Sequence, residues 1–218
     1  MSLSYFIPNI NLTDIHRREM TVRQSRFIIS IAHTPTVETA KNFIEKLKYE
    51  FSNASHHCWA FIAGAPEKTI YTGYSDAGEP HGTAGRPMMN ILIHKKIGEI
   101  TAIITRYFGG IKLGKGGLMR AYQQTIQLGL EELPLKKMAI STTLEVVLSY
   151  EHISSFLHLL QQFHCIIINE LFTSDVTYVI SIQNEYIQSF QNELTNLTSG
   201  TVLITQLLGK DIIDYSHS

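Results

Sequence analysis

Thr142-Thr143-Leu144-Glu145-Val146-Val147-Leu148-Ser149 sets Leu144, Val146 and Leu148 at every second position, alternating with Thr143, Glu145 and Val147. Successive side chains of an extended chain point to opposite faces, so this period of two predicts a strand with one buried face. From residue 150 to 163 the period changes. Ile153, Phe156, Leu157 and Leu160 recur at three- and four-residue intervals, the stripe of an amphipathic helix. Residues 165–172 and 176–183 return to strand composition across the polar turn Thr173-Ser174-Asp175. Asn184 is then expected to cap a helix carrying Ile187, Phe190, Leu194 and Leu197, with Ser199-Gly200 ending it and residues 201–208 forming a last strand. Strand, helix, strand, strand, helix, strand is the split βαβ order of a ferredoxin-like unit: an antiparallel sheet with two helices on one face.

Working back toward the N-terminus, the pattern is longer and less regular. A strand is expected over residues 21–32 and a helix over 36–51, with Pro35 and Thr36 suited to its start. Strands follow near 58–63 and 69–74, then a glycine-rich loop in which Thr83 is a candidate cap for a short helix over 86–94. A strong strand over 99–108 leads through Gly114–Gly117 into a helix over 118–133, closed by Pro134. The expectation is an α+β protein of two domains: an α/β sandwich over 1–138 and the ferredoxin-like unit over 139–218, with 135–140 as the linker.

Charge separates the same two parts. Residues 1–138 hold 17 Lys and Arg against 11 Asp and Glu, net +6, while 139–218 hold Lys210 against eight acids, net −7, which together give the overall −1. Such asymmetry makes a polyanion or acidic partner plausible for the first domain. No apolar run approaches the roughly 18 residues that a membrane span needs, and no charged-then-apolar leader is present. Cys58 and Cys165 lie far apart, without the paired spacing of a zinc module or the density of a disulfide scaffold. The expectation is a cytoplasmic protein with no membrane partner, no metal and no cofactor; the sequence sets no oligomeric state.

Two segments concentrate glycine and charge. The first runs Gly73-Tyr74-Ser75-Asp76-Ala77-Gly78-Glu79-Pro80-His81-Gly82-Thr83-Ala84-Gly85-Arg86-Pro87. Gly78, Gly82 and Gly85 permit backbone conformations closed to other residues, and amides at the following helix start are suited to hold an anion. An equally good reading is a tight connection whose polar groups satisfy the backbone. The second runs Thr105-Arg106-Tyr107-Phe108-Gly109-Gly110-Ile111-Lys112-Leu113-Gly114-Lys115-Gly116-Gly117-Leu118-Met119-Arg120. Arg86, Arg106, Lys112, Lys115 and Arg120 are suited to phosphates, and Tyr107 or Phe108 to stacking on a base. The competing reading is a solvated turn with its aromatics in the core and its cations paired. His56-His57-Cys58 with His81 lacks the tight spaced set of a metal site, and no orienting motif surrounds Cys58 as a nucleophile. Asp76, Glu79 and His81 carry acid–base groups, but their spacing assigns no reaction.

Taken in order, the two segments resemble the defining motifs of the IMPACT family. Residues 75–87 are similar to its D-G-E-P-x-G-T-A-G-x-P stretch, and residues 104–114 to its R-Y-[FY]-G-G-x-x-L-G signature. Ser55-His56-His57-Cys58-Trp59-Ala60 resembles its A-x-H-x-C-x-A strand, and the likeness covers about residues 15–133. Ala77 stands where many members carry a second acid, and His81 where a small residue is common. The resemblance, to the bacterial YigZ-type branch, implies an N-terminal domain like domain IV of elongation factor G and the second domain of ribosomal protein S five. It implies a C-terminal domain like domain V of that factor. In eukaryotic members the shared domain acts in translational control, competing for the activator of a starvation-responsive kinase.

The leading expectation is therefore a noncatalytic regulator related to translation, binding RNA, the ribosome or a translation-associated protein through the basic glycine-rich surface. The alternatives are a protein-binding module without nucleic acid, and a small-molecule or phosphoester enzyme using the loop that holds Asp76, Gly78, Glu79, His81, Gly82, Thr83 and Gly85.

Overall fold

The computed structural model describes residues 4–66 and 71–207. Its backbone packs into two compact units, one of Tyr5–Met138 and one of residues 139–207. The start of the strand expected over 69–74 and the end of that over 201–208 lie outside the described residues.

The first unit is built on a five-stranded antiparallel sheet. It contains β1 (Ser4–Pro8), β2 (His16–Val22), β3 (Ser25–His33), α1 (Val37–Glu50), β4 (His56–Ile62), β5 (Thr72–Ser75), α2 (Gly85–His94), β6 (Ile100–Tyr107), α3 (Gly114–Glu131) and β7 (Leu135–Ala139). The sheet order is β2-β3-β6-β4-β5, with every neighbouring pair antiparallel. β6 lies at its centre and is buried on both faces from Ile100 to Arg106, which is why Ile100, Ala102, Ile103 and Ile104 do not alternate with exposed polar residues and Thr101 and Thr105 are themselves buried. On one face Phe27, Ile29 and Ile31 pack with Met88 and Leu92 of α2 and with Tyr122 and Ile126 of α3. On the other, Phe61 and Ile103 pack with Phe43, Ile44 and Leu47 of α1. Three layers result. α1 starts in a capping box, in which the Thr39 amide donates to Thr36 Oγ1 and the Thr36 amide to Thr39 Oγ1, each at 3.1 Å.

Three expectations for this unit are corrected. The single strand over 21–32 is the second strand of a β2–β3 hairpin, whose turn residues Arg23 and Gln24 adopt φ of 44° and 66° without a glycine. The helix expected from residue 118 begins a turn earlier, so Gly114–Gly117 form its first turn. The segment taken as a linker is β7, which pairs with β1.

In the second unit β8 (Ser141–Leu148), α4 (Ile153–Gln162), β9 (Ile166–Phe172), β10 (Val176–Gln183), α5 (Ile187–Leu197) and β11 (Leu203–Leu207) follow in the expected order. A short 3-10 turn over Tyr150–His152 precedes α4. The antiparallel sheet has the order β11-β8-β10-β9. Leu144, Val146 and Leu148 meet Val176, Tyr178 and Ile180 beneath Phe156 and Leu160 of α4 and Phe190 and Leu194 of α5. This is the ferredoxin-like arrangement. Asn184 does not cap α5: its side-chain oxygen accepts from Thr142 Oγ1 at 2.7 Å, and Tyr186 occupies the N-cap position.

Candidate functional site

The first glycine-rich segment is organised around Asp76. Its Oδ2 accepts from the Gly82 amide at 2.8 Å, and its Oδ1 from the amides of Ala84 at 3.0 Å and Gly85 at 2.9 Å. The amides at the start of α2 thus hold an anion, as helix N-termini do, and that anion is the chain's own carboxylate. Thr83 does not cap the helix; its hydroxyl donates to the Pro80 carbonyl at 2.6 Å, and Ala84 stands at the cap position. Gly85 has a second duty, because a Cβ there would lie 2.6 Å from the Ser75 carbonyl oxygen.

The second segment is tied to the first through Glu79. Arg106, at the end of β6, donates from Nη1 to Glu79 Oε1 at 2.6 Å, and the two side chains are 7% and 3% exposed. The Tyr122 hydroxyl donates to the same oxygen at 2.9 Å, and Arg106 Nη2 donates to Ser25 Oγ at 3.3 Å. The guanidinium lies between two rings, 5.4 Å from the centroid of Phe27 and 5.6 Å from that of Phe108. Its Nε is buried without a hydrogen-bond partner. Arg106 is therefore not the surface phosphate contact that its type and position suggested; a buried arginine must be paired, and Glu79 pairs it.

Around this pair lies a cleft of about 330 Å³ lined by Glu79, Pro80, Arg106, Phe108, Lys112, Leu113, Gly114, Lys115 and Leu118. Phe108 is half exposed at its edge, and Lys112 and Lys115 are exposed. Arg86 and Arg120 are exposed on α2 and α3 but do not line the cleft. Nor does Tyr107: its ring sits 5.5 Å from the Arg26 guanidinium and its hydroxyl donates to Asn53 Oδ1 at 3.1 Å. Gly109 allows the turn after β6, since a Cβ there would lie 2.0 Å from the Gln24 backbone.

The acid–base loop does not assemble. Asp76 is occupied by amides and Glu79 by Arg106 and Tyr122, while His81 is exposed and Gly78 and Gly82 serve the turn with φ of 85° and 75°. His56, which the motifs left without a role, donates from Nδ1 to the Ala77 carbonyl at 2.9 Å and brings Nε2 to 3.9 Å from Glu79 Oε1. Cys58 is buried, with its sulfur 3.2 Å from Tyr122 Oη and 3.0 Å from the Asp76 carbonyl oxygen. Burial pushes its thiol up to about 12, which removes it as a nucleophile near neutrality. Burial also pushes the Tyr122 hydroxyl well above its ordinary range. Among the described residues no group of three His, Cys, Asp or Glu side chains is placed to hold a metal ion, and no helix is long and apolar enough to cross a membrane.

The Impact N-terminal domain model matches residues 23–130, and a domain of unknown function, DUF1949, matches 146–201. The chain is 38% identical over 190 residues to an IMPACT family member of Haemophilus influenzae, covering 87% of this chain and 92% of that protein. It is 36% identical over 199 residues to the IMPACT family member YigZ of Escherichia coli, covering 91% and 96%. A crystal structure of a hypothetical protein superposes with a TM-score of 0.66 at 33% identity, covering 96% of this chain and all of that one. Full-length similarity at this level, with both domain models in sequence, places the chain in the IMPACT family.

Proposed function

We propose that this protein is a noncatalytic regulator related to translation that binds RNA, free or on the ribosome, through the basic glycine-rich surface of its first unit. The observation that carries the reading is a division among its cations. Arg17, Arg18, Arg26 and Arg106 are each committed to a carboxylate, of Glu50, Glu132, Glu19 and Glu79 respectively. Arg86, Lys112, Lys115 and Arg120, from the two motif segments, are exposed with no carboxylate partner among the described residues, as are Arg23, Lys41, Lys46, Lys95, Lys136 and Lys137; of these, Lys112 and Lys115 line the cleft with Phe108. Unpaired exposed cations beside a half-exposed phenylalanine suit a phosphate backbone with accessible bases. The experiment is cosedimentation with ribosomes and titration of a labelled, structured RNA at low salt; absence of binding to both refutes the reading.

A protein partner is the second reading, favoured by the exposure of Phe108, Ile111 and Met119 next to those cations. It requires binding that survives nuclease treatment. An acid–base enzyme finds no support in a loop whose carboxylates are already engaged.

A further inference from the structure

We infer that the cleft between the start of α3 and the Arg106–Glu79 pair is a subsite for one nucleoside monophosphate unit, with its phosphate at the first turn of α3 and its base on Phe108. The inference deepens the RNA-binding reading and rests on it. The unit is either a free nucleotide or the phosphorylated end of an RNA strand, which share this chemistry.

The first observation is the start of α3. This helix of 18 residues has no side-chain cap and no acidic residue in its first turn. Its first turn contains Gly114, Gly116 and Gly117, and a Cβ added at Gly114 or Gly116 would meet nothing within 4 Å. Packing therefore does not explain glycine at those two places. At Gly114 the φ of 72° does; at Gly116 what remains is the open approach to backbone amides that have no intrahelical acceptor. Lys112 and Lys115 line the cleft at this end.

The second observation is independent of the helix. Arg106 lines the same cleft, its side chain is more than nine-tenths buried, and its Nε–H has no acceptor. A buried donor left unmet is costly, and this one belongs to the residue that floors the cleft, where the apolar wall leaves its polarity unsatisfied. Glu79 does not repel an anion here, because Arg106 neutralises it at 2.6 Å.

The third concerns shape and polarity. A volume of about 330 Å³ is of nucleotide size, far beyond an inorganic ion alone. Its walls are largely apolar, formed by Pro80, Leu113, Leu118 and Phe108, with the cations at one end. Phe108 has one face on the Arg106 guanidinium and is half exposed, so a base stacked on it completes a base–Phe–Arg stack.

The test uses the full chain and four probes: AMP, adenosine, and a short single-stranded RNA with a 3′ dye bearing either a 5′-phosphate or a 5′-hydroxyl. The 5′-phosphate strand is expected to bind about tenfold tighter than the hydroxyl strand. AMP is expected to displace it and adenosine is not. Phe108→Ala is expected to weaken AMP about tenfold, and Lys115→Ala to weaken AMP and the 5′-phosphate preference together. Both side chains are substantially exposed, so both variants should fold, and their thermal unfolding checks this. AMP binding as tightly as the phosphorylated strand identifies a free nucleotide as the ligand; a much tighter strand identifies an RNA end. Equal affinity for the two strands, or AMP binding unchanged in both variants, overturns the subsite. RNA binding that persists in that case leaves the broader reading standing, so the two failures are distinguishable.

Discussion

Arg106 Nη1 donates to Glu79 Oε1 at 2.6 Å, joining the loop that follows β5 to the end of β6, with both side chains under a tenth exposed. Desolvating two charges is expensive, and their mutual attraction offsets that cost only while both are present. Glu79→Leu or Arg106→Met alone should therefore destabilise the protein by about 3–5 kcal/mol. The double variant Glu79→Leu with Arg106→Met should recover most of that loss, which urea unfolding of all four proteins will show. Additive losses would mean that the two residues act separately.

Asp76 should behave as a structural anion. Asp76→Ala leaves the amides of Gly82, Ala84 and Gly85 without their acceptor, at a cost of about 2 kcal/mol or more. Added formate or phosphate should restore part of the lost melting temperature in the variant and leave the wild type unmoved. Loss of stability without any rescue would show that the carboxylate is not acting as a replaceable anion.

The glycines divide by purpose. Gly109→Ala drives a Cβ to 2.0 Å from the Gln24 backbone and should prevent folding or cost several kcal/mol. Gly116→Ala meets nothing within 4 Å and replaces a helical glycine, so it should stabilise by about 0.5–1 kcal/mol. The same change should weaken RNA or AMP binding by crowding the start of α3. Calorimetry paired with a binding titration checks both signs, and a gain in stability with unchanged binding would remove any ligand role for this turn.

Cys58 sets a pH window. Burial raises its thiol from an ordinary value of 9.0 to about 12. The folded state thus favours the protonated thiol, and the corresponding stability is complete below about pH 9 and lost as pH rises toward 12. Stability should fall across that interval, less steeply in Cys58→Ala. At pH 8 only about one thiol in ten thousand is ionised, so Cys58 should resist iodoacetamide in the native protein. Rapid native labelling of Cys58 would contradict its burial.

The sheet of the second unit was legible because β8 and β10 bury one face each, so alternation survives in sequence as Leu144, Val146 and Leu148. β2 was not. As an edge strand of Arg17, Arg18, Glu19 and Thr21 it shows little apolar pattern, and its turn at Arg23-Gln24 takes positive φ without glycine. β7, with Lys136 and Lys137, hides for the same reason. At the site, the glycine segments were visible by composition, but their wiring was not. Asp76 caps a helix from nine residues before its first residue, outside the local window in which caps are recognised. Arg106 finds its carboxylate 27 residues away, and only the fold brings the two together. Lys112 and Lys115 reach the cleft that Arg106 floors, whereas Arg86 and Arg120 remain outside it.

The central claim, a phosphate-contacting surface at the start of α3, is tested most directly by the salt dependence of RNA affinity in three proteins. These are the wild type, Lys112→Ala with Lys115→Ala, and Lys41→Ala with Lys46→Ala as a control that removes equal charge from α1 on the other face of the sheet. Each phosphate contact contributes about 0.7–0.9 to the slope of log affinity against log salt. The account predicts that the α3 variant loses affinity and that its slope is shallower by roughly 1.5, with the α1 control unchanged. Equal losses in both variants, or none in the α3 variant, would contradict it.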